Sequence, residues 1–196
     1  MRGPEVVLVR HGETLWSRDG KHTGRTDILL TDEGRRQSER VGGTLRGRRF
    51  PLVLTSPLQR AAETCRLAGL GDVAVFRDEL MEWDYGDYEG RTTPEIRTEV
   101  PGWSLWRDGV PGGETAADVG RRVDGVLAEL RALDGDVAVF AHGHVLRVLA
   151  ARWLGLPPTE GRLFALDPAT ISILGYERET PVIRRWNEPV SSPARR

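Results

Sequence analysis

The sequence predicts an α/β domain built on a mostly parallel central sheet. Two short apolar runs, Val6–Val9 and Val137–Ala141, lack the alternation of apolar and polar residues expected of a strand with one solvent-exposed face. Unbroken β-branched runs of this length are typical of strands buried on both faces in a sheet covered by helices. Segments with helical spacing of apolar residues lie between these runs, which is the chain order of an α/β fold.

Both of these strands are followed by polar residues and a glycine. Arg10-His11-Gly12 follows the first run, and His142-Gly143-His144 follows the second. Ligands bind at the carboxyl ends of the strands in open α/β sheets. If the two strands are neighbours, the imidazoles of His11 and His142 converge at one sheet edge, so we expect a functional site there.

Composition limits the classes of partner and compartment. The chain has 196 residues, a formal net charge of -1 and a single cysteine, Cys65. A charge near zero does not favour nucleic acid binding, and one cysteine cannot form an internal disulfide. The apolar runs are far shorter than the roughly 18–20 residues that span a bilayer, and there is no room for a signal peptide before the first strand. We therefore expect a cytoplasmic protein that binds neither nucleic acid nor membrane.

The length fits one α/β domain better than two. We find no internal repeat, linker or composition shift, and we predict a single domain over residues 1–189 with a disordered tail over residues 190–196.

After the first strand, the first half of the chain predicts a long loop, a helix, a short strand and a second helix. Residues 15–30 show no helical or alternating period and predict a loop over the sheet edge. Thr31 has the features of an N-cap for a helix that runs to about Leu45. After a short strand over 52–55, Ser56 is predicted to cap the next helix, with Pro57 at its first position.

The second half alternates strands, an irregular stretch and long helices. Residues 73–76 predict a third strand. The stretch 80–90 is acidic and aromatic, and a carboxylate buried beside apolar rings favours its protonated form. We therefore expect a proton donor in this stretch. Residues 94–111 predict a partly helical cap. Thr115 caps the longest helix, and another helix follows His142 and ends at Gly155. Residues 169–174 and 182–186 predict a hairpin at the sheet edge.

These elements collect two histidines, two arginines and a candidate acid at one edge. Arg60 lies in the first turn of its helix, whose N-terminus favours anions, and arginine matches phosphate oxygens bidentately. A neutral imidazole can attack phosphorus while a second, cationic imidazole stabilises the developing charge. These are the parts that metal-free phosphoryl transfer through a phosphohistidine requires.

Several motifs resemble those of the histidine phosphatase superfamily, in its phosphoglycerate-mutase-like branch. The resemblance covers nearly the whole chain and is carried by residues 10–14, 56–61 and 142–143, and further by 23–27, 82–90 and 113–115. It implies a three-layer α/β/α sandwich with a mostly parallel sheet.

The resemblance also implies a role for each motif residue. His11 would be the phosphorylated nucleophile, and Glu82 would be the proton donor. The phosphate pocket would be completed by Arg10, Arg60, His142 and the backbone amide of Gly143, and Glu13 would orient His11 from behind.

Within the family, the chain is most similar to acid phosphatases and to a sedoheptulose-1,7-bisphosphatase-like branch. It lacks the basic insertion that phosphoglycerate mutases carry before the long helix, and Ser17 stands where many relatives have asparagine. By this similarity the substrate would be a small phosphorylated metabolite, bound by Ser17, His22, Thr23, Gly24, Tyr85, Gly143 and His144.

The sequence favours a phosphatase without a metal or other cofactor over three alternatives. A cofactor-dependent phosphoglycerate mutase would use the same phosphohistidine. A metallohydrolase would use the four histidines, but the nearby arginines repel a cation. A binding protein without activity is possible on any fold, although no catalytic position is missing here. The oligomeric state stays open, and a homo-oligomer is compatible with the sequence.

Overall fold

The computed structural model describes residues 4–190, so all but the first residue of the predicted tail, 190–196, lies outside the described residues. Six strands form one sheet in the order β3-β2-β4-β1-β5-β6. The strands are β1 (Val6–Arg10), β2 (Leu52–Thr55), β3 (Ala74–Phe76), β4 (Val137–Ala141), β5 (Thr170–Glu177) and β6 (Thr180–Pro189).

Four of these strands are parallel, and the last two form the predicted hairpin. β1 and β2 both pair in parallel with β4, and β3 pairs in parallel with β2. β5 runs antiparallel to β1, and β6 runs antiparallel to β5. The α/β class and the mostly parallel sheet predicted from the buried apolar runs are confirmed.

Helices cover both faces of the sheet. The α-helices are α1 (Leu15–Arg18), α2 (Asp32–Leu45), α3 (Gln59–Leu67), α4 (Thr93–Glu99), α5 (Leu105–Asp108), α6 (Ala116–Arg131) and α7 (Gly143–Trp153). On one face, Leu8 and Val139 belong to a core cluster with α6 and α7. On the other face, Val9 and Phe140 belong to a cluster with α2 and α3. Successive side chains of each strand therefore enter opposite cores, which explains why β1 and β4 are apolar throughout.

Two local predictions were wrong. Residues 15–30 contain the one-turn helix α1, which is capped by a reciprocal pair of bonds between Thr14 and Ser17 and is too short to show a period. Ser56 does not cap α3, which begins at Gln59 with Leu58 in the N-cap position and no side-chain cap. The Ser56 hydroxyl instead lies within 2.8 Å of the imidazole of His142.

The other predicted helix starts are confirmed. Thr31 accepts a hydrogen bond from the Gly34 amide at the start of α2, and Thr115 forms a capping box with Asp118 at the start of α6. Gly155, with a φ of 76°, follows the end of α7.

Candidate active site

Sheet register brings the two strand-end histidines together. Arg10 pairs with Ala141 across β1 and β4, and the amide of His11 donates to the carbonyl of Ala141 at 3.0 Å. The ring centroids of His11 and His142 are 5.2 Å apart. The predicted convergence of the two imidazoles is therefore a direct result of parallel pairing between neighbouring strands.

The His11 ring has one nitrogen held by the backbone. Its Nδ1 lies 2.7 Å from the carbonyl oxygen of Gly12, and since a carbonyl only accepts, Nδ1 carries the proton. Burial, followed by the charges of Arg60 and Arg10, holds the pKa of His11 well below its usual value. The ring is thus neutral near pH 7, with the lone pair of Nε2 available as a nucleophile.

The Gly12 carbonyl, not the Glu13 carboxylate, contacts the His11 ring. Glu13 accepts a 2.8 Å hydrogen bond from the hydroxyl of Thr31, so its carboxylate belongs to the start of α2. A side chain on Gly12 would lie 2.3 Å from the carbonyl oxygen of Gly34, so glycine is required for this close approach of β1 to α2.

His142 has the opposite arrangement of ring protons. Nε of Arg60 donates to its Nδ1 at 3.1 Å, so Nε2 carries the proton and faces the Ser56 hydroxyl at 2.8 Å. Burial, followed by the charge of Arg60, holds the pKa of His142 well below its usual value. The structure thus places a neutral ring where we expected a cationic one, because Arg60 occupies the nitrogen that would take the second proton.

The two arginines of the site are held differently. Arg60 is fully buried and donates to the carbonyl oxygens of Thr23, Gly24 and Thr26 as well as to His142. It therefore supports the 23–26 loop and does not line the cavity. Arg10 does line the cavity; one of its terminal nitrogens donates to the Leu166 carbonyl, while its buried Nε has no partner among the described residues.

The carboxylate of Glu82 is anchored by backbone amides. Oε1 accepts from Trp83 and Val145, each at 2.9 Å, and Oε2 accepts from His144 at 2.9 Å. Val145 and His144 lie in the first turn of α7, whose N-terminal amides favour a carboxylate. Because Oε2 accepts only one of these bonds, it has the freer lone pair to carry and release a proton.

A cavity of about 170 Å³ brings most of the predicted residues together. From the predicted set it is lined by Arg10, His11, Ser17, His22, Thr23, Glu82, Tyr85, Gly143 and His144. Arg60, His142 and Gly24 lie behind this lining. Gly24 is required there, since a side chain would lie 2.7 Å from both the Glu89 carboxylate and the Trp83 carbonyl.

Two histidines and a tyrosine form a connected group on the side of the cavity near α5. The Tyr85 hydroxyl lies 2.5 Å from Nδ1 of His144, and the rings of His22 and Tyr85 have centroids 4.8 Å apart. Burial raises the pKa of Tyr85 well above its usual value and lowers that of His22 to about 4. All of these groups are therefore neutral near pH 7.

Sequence reasoning missed several contributors to the site. The helix-cap prediction does not foresee the contact of Ser56 with His142, and no role is predicted for Arg147, which also lines the cavity. Glu89 accepts hydrogen bonds from the amides of residues 24–26 and so holds their loop. The spacing of Arg147, one helical turn after His144 on the same face of α7, is the signal that could have identified it.

Two findings concern metals and membranes. Within residues 4–190, no three histidine, cysteine, aspartate or glutamate side chains are grouped so that they could hold a metal ion. None of the helices in the described part of the chain is both long enough and apolar enough to cross a membrane.

Comparison with known proteins identifies relatives along almost the whole chain. A model of the histidine phosphatase superfamily, branch 1, matches residues 6–189. An acid phosphatase of Mycobacterium tuberculosis is 44% identical over 181 residues, which cover 90% of this chain and 89% of that protein. Sedoheptulose 1,7-bisphosphatase of Saccharomyces cerevisiae is 39% identical, over 78% of this chain and 68% of that protein.

Solved structures resemble the chain just as completely. A protein from Mycobacterium tuberculosis superimposes with a TM-score of 0.92 at 41% identity, over 97% of this chain and 100% of that one. A mycobacterial glucosyl-3-phosphoglycerate phosphatase, solved in complex with VO3, gives a TM-score of 0.85 at 29% identity, over 96% of this chain and 100% of that one.

Proposed function

The chain belongs to the histidine phosphatase superfamily, branch 1, and from this premise we propose that it hydrolyses small phosphomonoesters through a phosphohistidine on His11. The observation that carries the proposal is the neutral ring of His11, whose Nε2 has no hydrogen-bond partner within residues 4–190, together with Arg10, whose buried Nε also has none there. Relatives named acid phosphatase and sedoheptulose bisphosphatase support sugar or glycolytic phosphates as the substrate class.

In the first step, Nε2 of His11 attacks phosphorus and the bond to the ester oxygen breaks. The Nδ1 proton stays on the ring, hydrogen-bonded to the Gly12 carbonyl. The ring therefore carries a positive charge once the new N–P bond forms. Arg10 and the amide of Gly143 are the donors that would stabilise the phosphoryl oxygens. The Nε2 proton of His142, which the Ser56 hydroxyl holds, would join them on turning away from that hydroxyl. Glu82 gives its proton to the departing alkoxide.

In the second step, water hydrolyses the phosphohistidine. Glu82, now a carboxylate, takes a proton from the water as its oxygen attacks phosphorus, and the N–P bond breaks to restore neutral His11. Three backbone amides keep the Glu82 carboxylate in place throughout. Inorganic phosphate then leaves, and the proton on Glu82 is ready for the next substrate.

A phosphoglycerate mutase would share the first step and return the phosphoryl group to a bound product. Some relatives carry that name, including one that is 36% identical over 74% of this chain. Residues 91–113, where mutases carry their basic insertion, hold only the short helices α4 and α5 here. We therefore favour hydrolysis over the mutase reaction, and the experiment below measures both.

The test is phosphate release with EDTA present, from p-nitrophenyl phosphate, sugar bisphosphates and phosphoglycerates, with His11→Ala as the control. We expect release that needs His11 and no added metal. Glu82→Gln should lower activity strongly, because glutamine can neither give a proton to the leaving group nor take one from water. Release that survives His11→Ala, or rapid bisphosphoglycerate-dependent interconversion of phosphoglycerates without release, would contradict the proposal.

A further inference from the structure

Glu82 lies in an irregular segment that needs support from elsewhere in the chain. Residues 78–80 form a single 3₁₀ turn, and residues 81–84 continue in neither a helix nor a strand. Buried backbone that pairs within neither kind of element must find other partners for its polar groups. Glu82 and Trp83 are both buried. The position of the Glu82 side chain therefore depends on the groups that bind this segment.

Arg122 of α6 binds the carbonyl oxygens of this segment. One terminal nitrogen, Nη1, donates to the carbonyls of Glu79 and Met81, each at 2.6 Å. The other, Nη2, donates to the carbonyl of Glu82 itself at 3.2 Å. The Arg122 side chain is only 14% exposed. A guanidinium presents several N–H groups in one plane, which allows a single side chain to bind three carbonyls.

Glu114 holds both Arg122 and the far side of the same segment. Its carboxylate accepts from Nε and Nη2 of Arg122 at 2.8 and 3.0 Å, which is a bidentate ion pair. The carboxylate also accepts from the Asp84 amide at 2.9 Å, and the Glu114 carbonyl accepts from the Trp83 indole at 2.8 Å. Each of the four residues 81–84 therefore hydrogen bonds with Arg122 or with Glu114.

Glu82 is thus held at two points. Its backbone carbonyl is bound by Arg122, and its carboxylate is bound by three backbone amides. Within residues 4–190 the lining of the cavity includes Glu82 but not Arg122. A misplacement of about 1 Å can cost about 100-fold in rate, so a fixed backbone at residue 82 matters for proton transfer in the cavity.

We propose that Arg122, paired with Glu114, positions the proton donor Glu82 and so sets how well a leaving alkoxide is protonated. The inference rests on the proposed function, because it assigns a positioning residue to the first chemical step. Arg122 acts through the backbone of residues 79–82 and has no contact with the phosphate or the leaving group in this scheme. Its loss should therefore affect chiefly those esters whose leaving group needs a proton.

The first test compares two esters of similar size with different leaving groups. The p-nitrophenolate ion is stable and leaves without a proton, whereas the alkoxide of benzyl phosphate must receive one. Arg122→Met removes the guanidinium, and Arg25, 3.7 Å from the Glu114 carboxylate, still faces that charge. We expect Arg122→Met to lower kcat/KM for benzyl phosphate at least about tenfold more than for p-nitrophenyl phosphate. Because kcat/KM covers the steps up to the phosphohistidine, the later role of Glu82 as a base does not enter it.

A double variant tests whether this effect passes through Glu82. Glu82→Gln should lower the ratio of kcat/KM for benzyl phosphate to that for p-nitrophenyl phosphate at least as much as Arg122→Met does. Adding Arg122→Met to Glu82→Gln should leave that ratio unchanged, since no proton donor is left to misplace. A further decrease in the double variant, or an equal loss for both esters in Arg122→Met alone, would overturn the inference.

A matched control is available in Arg152, which joins α7 to α6. Its Nε and Nη2 donate to the Asp124 carboxylate at 2.9 and 3.0 Å, and its Nη1 donates to the Leu156 carbonyl at 3.1 Å. Arg152→Met therefore removes the same kinds of contact away from the Glu82 segment. It should leave the ratio for the two esters unchanged. Thermal unfolding of both variants shows whether each is folded at the assay temperature.

The second test does not depend on turnover. The amides of His144 and Val145 lie in the first turn of α7, where they have no partner within the helix, and they donate to the Glu82 carboxylate. Their hydrogen exchange, followed by NMR, should be at least about tenfold faster in Arg122→Met and unchanged in Arg152→Met. Unchanged exchange in Arg122→Met would overturn the inference whichever ester the protein hydrolyses. Failure of the wild-type protein to hydrolyse either ester would count against the proposed function alone.

Discussion

The ends of β1 and β4 are alike in sequence and opposite in chemistry. Each strand is a buried apolar run that ends in histidine followed by glycine, and the two rings lie 5.2 Å apart. At the β1 end, Nδ1 of His11 donates to a carbonyl oxygen. At the β4 end, Nδ1 of His142 accepts from Arg60.

In the proposed mechanism, this difference in one neighbour separates a nucleophile from a hydrogen-bond donor. A carbonyl at Nδ1 leaves a lone pair on Nε2, and an arginine at Nδ1 leaves a proton on Nε2. Both rings are neutral because both are buried beside the same two arginines. Tautomers, and not net charges, therefore distinguish the two strand ends.

The largest expected effect tests which ring forms the covalent intermediate. His11→Ala should lower kcat by about 10^4-fold or more, since the nucleophile is lost, whereas His142→Ala should cost about 10^2- to 10^3-fold, as for the loss of one transition-state donor. Rapid acid-free quenching and mass spectrometry should find the phosphoryl adduct on His11 in the wild-type and His142→Ala proteins. An adduct on His142 would reverse the assignment.

A smaller effect is expected where Ser56 meets His142. Ser56→Ala removes the acceptor of the Nε2 proton, so the ring is less firmly held, and kcat should fall about tenfold, consistent with one hydrogen bond to a buried group. Ser172→Ala is the control, because Ser172 is equally buried and accepts from the amide of Asn187 in the β5–β6 hairpin. A loss of the same size in both variants would indicate a general effect on stability.

The smallest expected effect is on the pH dependence of stability, to which His11 and His142 should contribute equally. Burial holds the pKa values of His11 and His142 far below the 6.5 of an unfolded histidine. As pH falls through 6.5, these two histidines become protonated in the unfolded chain but stay neutral in the folded protein. The free energy of unfolding therefore decreases. Each ring contributes up to about 1.4 kcal/mol per pH unit.

Unfolding by urea between pH 7.5 and 5 measures this slope. His11→Gln and His142→Gln should each reduce it by a similar amount, since glutamine does not titrate. Stability that increases as the pH falls over this range would contradict neutral, buried rings at both strand ends.

Local sequence predicted most of the scaffold because short-range physics dominates there. The apolar runs of β1 and β4, the caps at Thr31 and Thr115 and the glycine after α7 each act through neighbours within a few residues. Ser56 is the instructive failure. Serine before Pro57 has the pattern of a helix cap, but its hydroxyl bonds a histidine that is 86 residues away in the chain.

For this protein, the sequence by itself determined the class of fold, the strand ends that meet at the candidate site and the residue types that we propose bind phosphate. Only the tertiary structure decided which nitrogen of each histidine is free, that Arg60 supports a loop and His142, and that Arg147 reaches the same cavity as His11. The reason is physical: a tautomer or an unpaired cation depends on which atoms lie within about 3 Å. In this fold those atoms come from segments far apart in the chain.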